Sequence, residues 1–156
     1  MEVFHASTVG IETPDTQHSR QYLDFGAGFY VTTMYEQAEK YAARFIRRGK
    51  SAIINVYDLA DDLSEWETIT FQKYDESWLD FVTECRIGHI VGEYDIVIGG
   101  IADDKVFRTV DLYFAGDIDK QECLKRLIFE KTNNQICIRS QAVLDKCLTF
   151  KQSILL

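Results

Sequence analysis

The chain has 156 residues, of which 46% are hydrophobic, and its 17 basic and 25 acidic side chains give a formal net charge of −8. This length is enough for one domain with a buried core, and the acidic balance argues against a broad nucleic-acid or membrane surface held by charge. No apolar run reaches the roughly 20 residues of a membrane span and no signal-peptide pattern follows Met1, so we expect a cytoplasmic protein with one domain over residues 1–156.

The predicted elements mix strands and helices without regular βαβ units, which indicates an α+β fold. Strands are predicted over 3–7, 29–33, 51–57, 94–98, 135–139 and 147–155. Helices are predicted over 34–48, 76–86, 105–115, 119–131 and 140–146. The segment 8–22 has the composition of a loop.

The chain is organised around residues 24–33. Gly26 and Gly28 permit a close approach of backbone, and a short aromatic and β-branched strand follows them. Tyr30 lies on this strand and Tyr41 on the next helix, so we expect their rings to face each other across a gap that holds a flat ligand. Taken alone, the two tyrosines favour ordinary core packing.

Two further polar residues are candidates for ligand binding. His5 ends the first strand, where a lone histidine is more often structural than functional. Arg20 lies in the loop 8–22 and is the residue of this loop suited to bind an anionic group such as a phosphate. A solvated surface arginine is the default interpretation. A functional interpretation of either residue depends on the other residues that accompany it.

The four cysteines give no sign of a metal site. They form no Cys-x-x-Cys pair and have no histidine at zinc-ligand spacing. We therefore expect buried, reduced thiols and no metal.

The chain also lacks a nucleoside-triphosphatase phosphate loop, a Gly-x-Ser-x-Gly elbow and a His-Glu-x-x-His motif.

Taken together, these motifs resemble the poly(ADP-ribose) polymerase and diphtheria-toxin group of ADP-ribosyltransferases. The run 26–31, Gly-Ala-Gly-Phe-Tyr-Val, followed by Tyr41, is similar to the central motif of that group. The triplet 5–7, His-Ala-Ser, is similar to its His-Gly-[Ser/Thr], and the strand that begins at Gln135 is similar to the one with the third catalytic position. The whole arrangement most resembles an uncharacterised bacterial domain family assigned to this superfamily, domain-of-unknown-function family 3990.

The resemblance covers nearly the whole chain and implies a fold and a reaction. The fold is two packed, mostly antiparallel sheets around an NAD cleft with flanking helices. The reaction splits the nicotinamide–ribose bond of NAD, the co-substrate, through an oxocarbenium-like transition state. No metal takes part.

The resemblance also assigns roles to individual residues. Tyr30 and Tyr41 would form the aromatic walls of a nicotinamide slot, the backbone of Ala6 would hold the carboxamide, and His5 would donate a hydrogen bond to a ribose hydroxyl. The implied catalytic residues are His5, Tyr30 and Gln135. The implied NAD-binding residues are His5, Ala6, Ser7, Arg20, Gly28, Tyr30 and Tyr41.

Three departures from the family pattern bear on activity. Ala6 replaces a glycine, Ala38 replaces a hydroxyl residue that often binds the carboxamide, and Gln135 falls where many members have glutamate. A neutral amide cannot offset oxocarbenium charge or act as a base, which disfavours processive polymer synthesis. Glu130, a few residues upstream, is a weak substitute for the missing carboxylate.

Four functions stay open from the sequence. The preferred one is mono-ADP-ribosylation of an unknown acceptor, which is a protein, a nucleic acid or a small molecule. By family resemblance such a protein could be a toxin or phage-defence effector with an antitoxin partner. The alternatives are an NAD glycohydrolase, a catalytically inactive NAD-binding module, and an α+β scaffold without an NAD site.

Overall fold

Strands and helices alternate along the chain in the computed structural model, which describes residues 1–156 apart from the side chain of Asp104. The strands over these residues are β1 (Glu2–Ser7), β2 (Phe29–Val31), β3 (Ile53–Leu59), β4 (Thr68–Thr70), β5 (Ile96–Gly99), β6 (Gln135–Ile138) and β7 (Leu148–Leu155). The helices over the same residues are α1 (Tyr35–Arg47), α2 (Glu76–Arg86), α3 (Asp104–Phe114), α4 (Lys120–Leu127) and α5 (Gln141–Cys147). The α+β prediction is confirmed.

The strands form two sheets. The first sheet has the order β1-β3-β7 and is antiparallel throughout. The second has the order β2-β6-β5-β4, in which only β4 and β5 run parallel among the described pairs. The expectation of two mostly antiparallel sheets is therefore confirmed.

Among the described residues, a single bridge joins the two sheets edge to edge. The backbone N–H of Phe4 on β1 donates to the carbonyl of Thr32 at 2.8 Å, and the N–H of Thr32 donates back to the carbonyl of Phe4 at 3.0 Å. Thr32 directly follows β2. The outer strands of both sheets thus meet at one residue pair.

Three apolar clusters form the core. The inner cluster lies between the sheets, because it takes residues from both of them. The second cluster covers the outer face of the second sheet with α2, α3 and α4. The third covers the outer face of the first sheet with α1. Members of the inner cluster include Val3, Tyr57, Phe29, Val31 and Ile138.

Local sequence signals explain most of the boundaries. Asp75, Asp103 and Asp119 precede α2, α3 and α4, and each carboxylate accepts a hydrogen bond from the backbone N–H three residues later. Gly49 has a φ of +68° and follows the end of α1, as its position in the sequence predicts. Strand β4 was missed, because three residues are too few to establish a period of two.

The prediction of buried thiols is also confirmed, since all four cysteines are buried and free of disulfides. Of the helices that the structure describes, none is long and apolar enough to span a membrane.

Gly28 shows why the central motif needs glycine. A Cβ atom at this position would lie 2.6 Å from the Cys137 Sγ and 2.8 Å from the carbonyl oxygen of Ile138 on the neighbouring strand β6. Gly28 therefore lets the start of β2 pack against β6, as the sequence predicts for a close backbone approach.

We predict that Gly28→Ala lowers the free energy of unfolding by about 1–3 kcal/mol, because the added methyl group overlaps backbone that cannot move away cheaply. Urea denaturation measures the change. Gly10→Ala is the control: its Cβ would meet only the Ser153 side chain, at 3.1 Å from the Oγ, and should cost less than about 1 kcal/mol. Equal effects of the two substitutions would contradict this account.

Candidate functional site

The edges of the two sheets separate just beyond their single bridge. Alternate residues of a strand point their peptide groups to opposite edges, so Ala6 directs its N–H and C=O to the same side as Phe4, towards β2. Tyr30 likewise directs its peptide group towards β1, as Thr32 does. No backbone hydrogen bond joins Ala6 and Tyr30 in the described part of the chain. We call the gap between these two residues the split.

His5 closes one side of the split. Its Nδ1 lies 2.7 Å from the carbonyl oxygen of Tyr30, and its ring stacks on Phe29 with 4.4 Å between the ring centroids. A carbonyl oxygen only accepts, so Nδ1 carries the proton of this bond. Burial lowers the pKa of His5 below its ordinary 6.5, which keeps the ring neutral at pH 7. The neutral ring then has Nε2 as a hydrogen-bond acceptor.

Tyr30 extends its side chain away from His5. Phe29 and Val31 belong to the inner cluster, whereas Tyr30 packs against the cluster on the outer face of the second sheet. The Tyr30 hydroxyl donates to the carbonyl of Gly26 at 2.6 Å and accepts from the N–H of Phe25 at 3.1 Å. Burial and the adjacent Cys137 raise the Tyr30 pKa, so Tyr30 stays protonated and offers a ring surface rather than an acid or base.

The segment that binds the Tyr30 hydroxyl is held by a buried ion pair. The Asp24 carboxylate lies 2.7 Å from the Arg86 guanidinium, and the two side chains are only 13% and 12% exposed. The second carboxylate oxygen of Asp24 accepts from the N–H of Ala102 at 2.7 Å. The Arg139 guanidinium donates to the carbonyl of Phe25. These bonds fix the turn that precedes β2, and with it the Tyr30 ring.

Gln135 lies on the same outer face of the second sheet as Tyr30. It stands two residues before Cys137, which pairs with Tyr30 across β2 and β6. The Oε1 atom of Gln135 accepts from the Nε2 atom of Gln37 on α1 at 2.8 Å. The third predicted catalytic position is therefore linked by a hydrogen bond to the helix that carries Tyr41.

Tyr41 lies one turn after Gln37 on the same side of α1. Its side chain is 43% exposed, with the ring edge-to-face against Phe45 at 5.7 Å and the Arg44 guanidinium 5.2 Å from its centroid. Tyr30 and Tyr41 make no direct ring contact among the described residues, so the expectation that they enclose a ligand stays a prediction.

The remaining predicted residues, Ser7 and Arg20, lie at the end of β1 and in the loop before β2. The Ser7 hydroxyl accepts from the N–H of Val9 at 3.3 Å, which supports the turn after β1. The Ser19 hydroxyl accepts from the N–H of Gly28 at 2.9 Å and thereby ties the loop to the start of β2. Arg20 follows Ser19 and is exposed. The structure thus places Arg20 next to the residue that binds Gly28 and assigns the Arg20 side chain no contact with the split.

Other features lie away from the split. Glu130 forms an ion pair with Lys105 at 2.8 Å and does not replace a carboxylate at Gln135. The larger described cavity, of about 640 Å³, contains none of the predicted site residues in its lining. Gly26 and Ala27 belong to its wall, so the cavity meets the site only through the turn that binds Tyr30. Its lining also includes Tyr22, Cys85, His89, Tyr94 and Arg139.

Sequence reasoning missed Gln37. Its position four residues before Tyr41 was a usable signal, since residues at this spacing share a helix face. Nothing in the sequence indicates, however, that Gln37 meets a residue 98 positions later.

The site belongs to an α+β protein in which His5 and the backbone of Tyr30 meet where the two sheets separate. A family model described as "Protein of unknown function (DUF3990)" matches residues 1–150, so the chain belongs to this family. No curated protein and no solved structure matches the chain. The resemblance to family 3990 is confirmed, and the relation to ADP-ribosyltransferases stays a prediction.

We predict that acidification destabilises the protein through His5. The folded-state pKa of His5 lies below its unfolded value near 6.5, so the unfolded chain binds more protons between these two values. The stability contributed by the neutral ring is complete above pH 6.5 and is lost as the pH falls through this window. Denaturant unfolding between about pH 7 and pH 5 measures this loss.

His5→Asn is the matched variant, because its Nδ2 can still donate to the Tyr30 carbonyl but does not titrate in this range. The difference in unfolding free energy between the native protein and the variant should shrink as the pH falls. The other histidines, His18 and His89, are present in both proteins and cancel. Parallel pH curves would show that His5 is not a buried neutral ring.

Proposed function

We propose that this protein is an NAD-dependent mono-ADP-ribosyltransferase of the poly(ADP-ribose) polymerase and diphtheria-toxin type, acting at the split between β1 and β2. The observation that carries the proposal is the open peptide group of Ala6. It lies beside the neutral His5 and faces the strand of Tyr30, and its N–H and C=O have no hydrogen-bond partner among the described residues. The sequence resemblance supports the same assignment.

The geometry fits the nicotinamide end of NAD. A primary carboxamide has an N–H₂ donor and a C=O acceptor side by side, and the Ala6 peptide edge offers one acceptor and one donor in return. An exposed strand edge commonly binds a ligand in this way. Tyr41, partly exposed on α1, provides an aromatic surface for the flat ring.

His5 is suited to hold a ribose hydroxyl. Since its Nδ1–H is committed to the Tyr30 carbonyl, the hydroxyl would donate to Nε2. The hydrogen bond then runs opposite to the direction expected from the sequence, where His5 was the donor. The role of His5 is unchanged, because either direction fixes the orientation of the ribose.

In the proposed reaction the bond between the nicotinamide nitrogen and the ribose carbon breaks, and nicotinamide leaves with the bonding electrons. An acceptor nucleophile forms the new bond to that carbon and gives up its proton. Gln135 has no charge to offset the positive charge that develops on the ribose and no basic site to take this proton. The proposal is therefore limited to an acceptor that is already a good nucleophile, or to water.

A second candidate function is a non-catalytic NAD-binding module. It is favoured by one observation: Gln135 is neutral, and its Oε1 is already engaged by Gln37. Both candidates use the same split, and they differ in whether NAD is consumed. A toxin or phage-defence role with an antitoxin partner belongs to the proposal through family resemblance alone.

The test is nicotinamide release from NAD by the purified protein and by Tyr41→Ala. We predict that Tyr41→Ala lowers release or NAD affinity at least about tenfold, the loss expected when an aromatic wall is removed. Tyr41 is exposed, so its removal should leave stability nearly unchanged. Ile46→Ala, at another exposed position of α1, is the control and should behave like the native protein.

Each outcome favours one candidate. Release that depends on Tyr41 supports an NAD-cleaving enzyme, and transfer of label from ADP-ribose-labelled NAD to an acceptor then distinguishes the transferase from an NAD glycohydrolase. Binding of NAD without release, seen as a rise in melting temperature, supports the binding module. If the native protein neither releases nicotinamide nor binds NAD, both candidates are wrong and only an α+β scaffold is left.

We predict that Gln135→Glu raises the rate of nicotinamide release about tenfold or more. A carboxylate at this position would stabilise positive charge on the ribose, and Gln37 Nε2 is already placed to donate to it. The rate constant at saturating NAD is the quantity to measure. An unchanged or lower rate would show that Gln135 does not face the reacting bond.

A further inference from the structure

The hydrogen bonds around Gln135 have a direction that the backbone determines. The backbone N–H of Asn134 donates to the Oε1 atom of Gln37 at 3.1 Å. A peptide N–H can only donate, so the carbonyl end of the Gln37 amide must face Asn134. The Gln37 side chain therefore cannot be reversed without loss of this bond.

The orientation of the Gln37 amide determines the orientation of the Gln135 amide. Because the Oε1 of Gln37 is bound to Asn134, its Nε2 faces Gln135. This nitrogen donates to the Oε1 of Gln135 at 2.8 Å. Gln135 in turn must direct its own Nε2 away from Gln37. The residue at the third catalytic position thus presents a hydrogen-bond donor, the positive end of its amide dipole.

The residues at the beginning of this series of hydrogen bonds are themselves held in place. Asn134 accepts through its Oδ1 from the N–H of Thr33 at 3.3 Å and from its hydroxyl at 3.1 Å. Asn133 exchanges two hydrogen bonds with the backbone of Ile101, at 2.8 and 3.0 Å. The segment before β6 is therefore anchored on both sides, which holds the Asn134 N–H towards α1.

We propose that Gln37 is a positioning residue that sets the direction of the Gln135 amide and thereby slows cleavage of the nicotinamide–ribose bond. The rate consequence rests on the proposed function; the amide direction does not. A donor directed at the ribose disfavours the positive charge that develops there, whereas an amide oxygen would favour it. The identity of residue 37, with residue 135 unchanged, then controls the reaction rate.

The variant Gln37→Glu reverses the direction of the hydrogen bond between residues 37 and 135. One oxygen of the new carboxylate accepts from the Asn134 N–H, and the other can only accept from Gln135. The Gln135 amide must then turn, so that its Nε2 faces α1 and its Oε1 faces outward. The variant reverses Gln135 without changing it.

The amide direction is measured by NMR on side-chain N–H₂ groups in the absence of NAD. In the native protein we expect the Gln37 N–H₂ protons to exchange slowly with water and those of Gln135 to exchange fast. In Gln37→Glu the Gln135 N–H₂ protons should become protected. If they stay as exposed as in the native protein, Gln37 does not set the direction and the inference is wrong.

The rate consequence is measured as nicotinamide release. We expect Gln37→Glu to raise the rate constant at saturating NAD about tenfold, with little change in KM. Lys40→Gln is the charge control, since it makes the same change in net charge at an exposed position of α1 and should leave the rate unchanged.

A double variant separates the amide from the added charge. If the gain acts through Gln135, then Gln37→Glu in a Gln135→Met background should give no gain. A gain that persists in this background overturns the rate consequence. No release and no NAD binding by any of these proteins overturns the proposed function, while the N–H₂ exchange still decides whether Gln37 sets the amide direction.

Discussion

Two hydrogen bonds between Phe4 and Thr32 connect the sheets of this protein, and the site exists because the connection ends there. Two residues further along each strand, a continuous sheet would join Ala6 to Tyr30. The His5 Nδ1–H instead donates to the Tyr30 carbonyl. The peptide edge of Ala6 therefore has no strand partner among the described residues. An unpaired strand edge is a ready position for a ligand with its own donor and acceptor.

Three predicted catalytic side chains, His5, Tyr30 and Gln135, are neutral and fixed in direction by hydrogen bonds. Burial keeps His5 unprotonated and Tyr30 protonated, and the Gln135 amide is oriented by Gln37. Charge is instead placed below the surface, in the ion pair of Asp24 with Arg86 that holds the turn before β2. Under the proposed function, these neutral groups would bind and orient a sugar and a flat amide ring without acting as a strong acid or base.

Local patterns in the sequence were sufficient for most elements, while the place of the site stays a prediction. The period of α1 and the alternation of β2 could be read directly, and the need for Gly28 followed from its motif. The direction of the Ala6 peptide group could not, because it depends on which strand lies at each edge of β1. The bond between Gln37 and Gln135 was equally hidden, since it forms only when α1 packs beside the end of β6.

The most direct test of this account is the backbone amide resonance of Ala6 during a titration with nicotinamide alone. Binding at the split predicts a saturable change in the ¹H and ¹⁵N shifts of Ala6 and Tyr30. These residues should respond more strongly than those lining the larger cavity, such as Tyr94. An Ala6 resonance that does not move at saturating nicotinamide, or a response confined to the cavity, would contradict the claim that the split is the ligand site.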